Sequence, residues 1–131
     1  VITYTFTVPA KLPGLNEYTS ACRTSAHVGA AMKRDTEDVI RWYIKAQIRD
    51  RRNLPARAPV KVYFRWTEAG KCPRDKDNIA FAKKFILDAL VEEKVLLSDA
   101  WDYVDGFEDS FFRGPRSGVI VDIAVLEKEK K

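Results

Sequence analysis

A chain of 131 residues, 46% apolar and 32% charged, has the size and composition of one folded domain, 1–131, with a core of its own. No apolar run approaches the roughly 18 residues of a membrane span, and no secretory signal is expected, so the expectation is a cytoplasmic protein. Two cysteines exclude a disulfide framework, one histidine argues against a Cys/His zinc site, and a net charge of +4 permits a polyanionic partner without requiring one.

Ile2–Val8 alternates β-branched and aromatic residues with polar ones and is predicted as a strand that Pro9 ends. Residues 10–29 carry Pro13, Gly14 and Asn16 and are expected as a long loop. A helix is predicted over 30–50, with Met32, Thr36, Val39, Tyr43 and Ala46 on one face. Arg34, Arg41, Lys45 and Arg49 share another face, which reads either as a phosphate-tracking stripe or as the wet side of an amphipathic helix. Arg51, Arg52 and Arg57 extend this basic region past the Asn53-Leu54-Pro55 break.

Residues 60–66 alternate again and predict a second strand. After a connection over 67–73 comes a helix over 77–92, with Ile79, Ala82, Ile86, Ala89 and Leu90 on its apolar side. Strands are predicted over 101–107 and 118–126, and the Arg113-Gly114-Pro115-Arg116 turn signal pairs them as a hairpin. A charged tail at 127–131 is expected to fray. The order β-α-β-α-β-β implies an α+β fold: two layers, a mixed sheet covered by two helices.

The chemistry concentrates around that second helix. Asp75 and Asp77 stand two apart just before it, and Asp99 follows it. Magnesium takes oxygen ligands, commonly one or two carboxylates completed by water and phosphate. Gathered acids therefore suggest a metal site, while the same acids at a helix start also suit N-capping and the helix dipole. On a helical wheel Asp77, Lys84 and Asp88 fall within roughly 40° of one another. Lys84 is thus a candidate to hold a phosphate, or simply the partner of Asp88 four residues on. Asp99, in Leu96-Leu97-Ser98-Asp99, reads alone as a turn residue and becomes a third ligand only if its loop folds back.

The segment Arg74-Asp75-Lys76-Asp77-Asn78, with Lys84, Asp88-Ala89-Leu90 and Leu96-Leu97-Ser98-Asp99, resembles the RusA-type Holliday junction resolvases. The N-terminal strand, the Pro13-Gly14-Leu15-Asn16 loop and the expected final hairpin extend the likeness over most of the chain. The resemblance implies a homodimeric, Mg2+-dependent endodeoxyribonuclease, with Mn2+ as substitute, that resolves four-way DNA junctions by paired nicks. It implies a cytoplasmic enzyme of bacterial or phage origin. It assigns metal binding to Asp75, Asp77 and Asp99 and an active-site lysine to Lys84, with Lys83 in reserve. The interval from Asp77 to Asp88 is about three residues longer than in the best-known member, nearly one helical turn. Candidate DNA contacts are Arg74, Lys76, Lys83, Arg49, Arg51, Arg52 and Asn16. Two alternatives stay open: a non-catalytic nucleic-acid-binding protein, and a metal nuclease acting on other branched DNA or on RNA.

Overall fold

The computed structural model describes residues 2–126, and the expected frayed tail at 127–131 lies outside the described residues. The elements run β1 Ile2–Val8, α1 Leu15–Thr24, α2 Ala26–Gln47, β2 Val60–Glu68, α3 Lys76–Ala80, α4 Lys83–Glu92, β3 Val104–Arg113 and β4 Gly118–Val125. The architecture is the expected α+β one, a four-stranded mixed sheet in the order β1-β4-β2-β3 with helices on one face.

Strand alternation sets the core. Phe6 and Phe64 flank Val121, Val8 and Trp66 flank Val119, and Tyr4 and Val62 flank Ile123, so three strands present matching apolar rows. Ile40 and Ile44 of α2 and Phe85, Ile86 and Leu90 of α4 are buried in the same core cluster. The expected apolar side of residues 77–92 is correct: Ile79, Ala82, Ile86, Ala89 and Leu90 are all buried.

Four expectations need correction. Residues 10–29 are largely helical: α1 occupies half of them and α2 starts at Ala26. Ser25 Oγ accepts from Val28 N–H at 3.1 Å and caps α2, but α1 has no local cap that a sequence would reveal. The face proposed for α2 is rotated. Gly29, Thr36, Ile40 and Ile44 are its buried residues, whereas Val39 and Trp42 point outward, 44% and 64% exposed. The helix expected over 77–92 is two helices, α3 and α4, with a turn at Phe81 and Ala82.

The last two strands form no hairpin. β3 starts at Val104, runs to Arg113 and pairs parallel with β2, which separates it from β4. The Gly114-Pro115-Arg116-Ser117 segment crosses the end of β2. Gly114 N–H donates to the Glu68 carbonyl at 3.3 Å, and Ala69 N–H donates to Ser117 Oγ at 3.0 Å. A turn signal between two strands marks a change of direction and does not say which neighbour each strand takes. β3 is consequently an edge strand.

Candidate active site

The Arg74–Asn78 segment is held from both ends. Arg74 Nε and Nη2 donate to the two Glu68 carboxylate oxygens at 2.6 and 2.9 Å. Its Nη1 donates to the Leu12 carbonyl at 2.9 Å and to Glu17 Oε1 at 2.8 Å. A nearly buried guanidinium thus ties the end of β2 to the segment before α1 and to α1 itself. The hydrogen bond from Arg74 holds the Glu68 carboxyl below its ordinary range against the opposing effect of burial. At the other end, buried Asn78 Oδ1 accepts from Asn16 N–H at 2.8 Å, a cap for α1 supplied from across the fold. Gly14 makes the approach possible, since a Cβ there would sit 2.5 Å from the Asn78 carbonyl oxygen.

Between these anchors Asp75 and Asp77 are exposed. Asp75 is the N-cap residue of α3 by backbone position, yet its side chain makes no capping hydrogen bond. Among the described residues neither carboxylate has a hydrogen-bond or ion-pair partner. The capping alternative is therefore not realised by Asp75, and Asp77 has at most the favourable field of the first turn.

Lys84 and Asp99 do come together. Lys84 Nζ donates to Asp88 Oδ1 at 3.0 Å and to Asp99 Oδ2 at 3.2 Å. Lys33 Nζ lies 3.5 Å from Asp88 Oδ2 and 3.5 Å from Glu37 Oε2, closing the far side of an open groove of about 430 Å3. The Asp88 hydrogen bond, with a further one to Asp99, raises the Lys84 pKa, so it stays an ammonium. Burial, together with Asp88 and Glu92, raises the Glu37 carboxyl.

Lys83 is placed differently. Its Nζ donates to Asp109 Oδ2 at 2.6 Å and lies 4.9 Å from the Phe107 ring centre and 5.5 Å from that of Phe64. The other Asp109 oxygen accepts from Trp66 Nε1 at 2.8 Å. Lys83 therefore pins α4 to the β2–β3 face, which leaves Lys84 in the groove with Asp99.

Within one chain the three aspartates do not converge. No group of three or more His, Cys, Asp or Glu side chains among the described residues is arranged to hold a metal ion. The Lys76 ammonium lies 5.8 Å from the Phe111 ring centre, towards the end of β3. Asp99 instead lines a groove with Val104 and Phe107 near its start. The four to seven residues between those contacts correspond to roughly 13–23 Å of strand.

Of the proposed DNA contacts, Arg74 and Lys83 are engaged inside the fold. Arg51 Nη1 donates to the Glu93 carbonyl at 2.7 Å, and Arg41 Nε donates to buried Glu93 Oε2 at 2.8 Å. Arg52 forks onto Asp50 at 3.0 and 2.7 Å. Lys76 and Arg49 remain exposed, and Asn16 contributes its backbone N–H to the Asn78 cap. Sequence reading missed Glu17, Glu68 and Asp109 as partners; Glu17 and Asp109 meet residues far along the chain, and Glu68 meets Arg74, six positions on, only because the chain between them folds back. No protein-family model matches this chain, and no curated protein matches its sequence. Among the described residues no helix is long and apolar enough to cross a membrane.

Proposed function

We propose that the protein is a Mg2+-dependent endodeoxyribonuclease that resolves four-way DNA junctions as a homodimer. The observation that carries this reading is the pair Asp75 and Asp77: exposed, without partners among the described residues, on a segment anchored by Arg74 and Asn78. Two neighbouring carboxylates fixed in place, with no cationic partner among the described residues, support a cation role, because like charges side by side repel. Asp75 and Asp77 would hold the ion, in keeping with the resemblance of Arg74–Asn78 to the RusA-type resolvases. When bound, Mg2+ polarises the scissile phosphate and acidifies a water.

The residues of the chain divide the remaining work. Lys84, kept charged by Asp88, orients Asp99 and offers an ammonium to a phosphate. Lys76, between the two acids, supplies the nearest exposed cation. A two-fold dimer addresses the separation of Asp99 from the pair. β3 is an open edge, and two such edges running antiparallel bring the Asp99 end of one chain to the Asp75–Asp77 end of its partner. The same symmetry matches a junction that needs two nicks.

Asp77→Asn tests the reading with a labelled four-way junction in Mg2+. Loss of nicking by at least a hundredfold with junction binding retained is expected. Undiminished nicking by this variant would remove the mechanism. A wild-type protein that binds the junction and never nicks it, at any Mg2+ or Mn2+ concentration, would leave a non-catalytic binder. Flap, linear and RNA substrates separate junction selectivity from a broader nuclease.

A further inference from the structure

Beside the two aspartates lies a second feature that the proposed chemistry does not use. A pocket of about 260 Å3 opens between the end of β3 and α3. Trp66, Ile79, Pro73 and Phe111 give it apolar walls. Arg74 and Glu68, tied to each other by two hydrogen bonds, also line it. Lys76 and Arg113 stand at its lining, and Lys76 is the residue between Asp75 and Asp77.

We infer that this pocket receives an unstacked nucleobase beside the cleavage site proposed at Asp75 and Asp77. The inference rests on the nucleic-acid reading above and names a subsite for it. The volume lies below the roughly 300–1,000 Å3 of sites for drug-sized ligands, which suits a single heterocycle. Trp66 and Phe111 are register partners on adjacent strands, so their rings sit side by side on the helix-facing side of the sheet. Trp66 is fixed in turn: it stacks on Phe64 at 5.5 Å, and its indole N–H is held by Asp109, which Lys83 neutralises. The Lys76 ammonium lies over the Phe111 ring, and on a flexible stem it can turn to a phosphate when a base takes its place. An apolar slot with aromatic walls and cations beside it matches a neutral base attached to an anionic backbone. A ligand that was only an anion would meet Asp75 and Asp77 without the gain of the slot.

The test compares two single-stranded oligodeoxynucleotides of equal length, one normal and one with abasic sites throughout, by anisotropy in EDTA. Wild-type protein should bind the normal strand about tenfold more tightly. Phe111→Leu should abolish that gap, and Phe111→Tyr should keep it, with thermal melting of both variants confirming that they fold. Trp42→Ala, which removes an exposed aromatic on α2, should leave the gap unchanged. Equal binding of the two strands by the wild type, an undiminished gap in Phe111→Leu, or a gap lost with Trp42→Ala would each overturn the inference. Because no metal is present, the result is separable from cleavage. A base-dependent gap with no nicking of junctions would remove the nuclease reading alone, and nicking without the gap would remove the subsite alone.

Discussion

Arg74 shows how one motif divides its labour. In Arg74-Asp75-Lys76-Asp77-Asn78 the outer residues face inward and hold the segment, while both acids face out. The sequence makes Arg74 look like a DNA contact, because a basic residue beside acids gives no hint that Glu68 and Glu17 wait for it. Nothing local could have shown the pairing with Glu17, which is 57 residues away. Glu68→Gln leaves Arg74 with Glu17 as its remaining carboxylate partner and removes two charge-assisted hydrogen bonds, so it should destabilise the fold by roughly 2 kcal/mol in chemical denaturation near neutral pH. The pH dependence has a definite sign. Glu68 has a folded pKa below its ordinary value of 4.5, so its stabilisation is present above that value and fades as pH falls through the lowered one. The wild type should therefore lose stability on acidification below about 4.5, and Glu68→Gln should show a shallower slope there. An identical slope in both proteins would remove this account of Arg74 and Glu68.

At the scale of elements, periodicity was readable where a helix or strand buries one face of its own. The apolar side of α4 is one such case, and β1, β2 and β4 are others. It failed where the deciding partner is remote. α1 takes its cap from Asn78, and α2 carries apolar residues on two sides, of which Ile40 and Ile44 win the core and Val39 and Trp42 do not. The Gly14–Asn78 contact yields a prediction. Gly14→Ala drives a Cβ into backbone and side chain of Asn78 and should lower stability by roughly 2 kcal/mol, with Tm as the measurement. Since the same contact fixes α3, the proposed junction nicking should fall as well, even at temperatures where the variant is folded. The end of α4 gives the opposite case. Lys94 adopts a left-handed conformation with φ 57°, while Lys94 and Val95 N–H groups bond the Val91 and Leu90 carbonyls at 3.0 and 2.9 Å. This is the hydrogen-bond pattern of a Schellman C-cap, where glycine fits without strain. Lys94→Gly should stabilise the protein by roughly 0.5–1 kcal/mol in denaturant titration, relieved strain outweighing the entropy gained by the unfolded chain.

For the whole molecule, the two-layer α+β class followed from the alternation of strand and helix patterns, but the neighbour relations did not. Placing β2 between β3 and β4 turns an expected hairpin into an open parallel edge. That edge is the site's most consequential feature, since it separates Asp99 from Asp75 and Asp77 within one chain and leaves a surface on which a second chain can pair. That Lys84 and Asp99 lie close together, at 3.2 Å, was legible through the resemblance. Their distance from the other two acids was not, because spacing along a chain carries no information about a partner's strand. The measurement that bears most directly on the central claim is anomalous scattering from crystals of the wild-type protein soaked in Mn2+. The account predicts a manganese ion within about 2.2 Å of carboxylate oxygens of both Asp75 and Asp77, with Asp99 of a two-fold-related chain turned towards it. Manganese bound elsewhere, with Asp75 and Asp77 left unliganded at saturating metal, would contradict it.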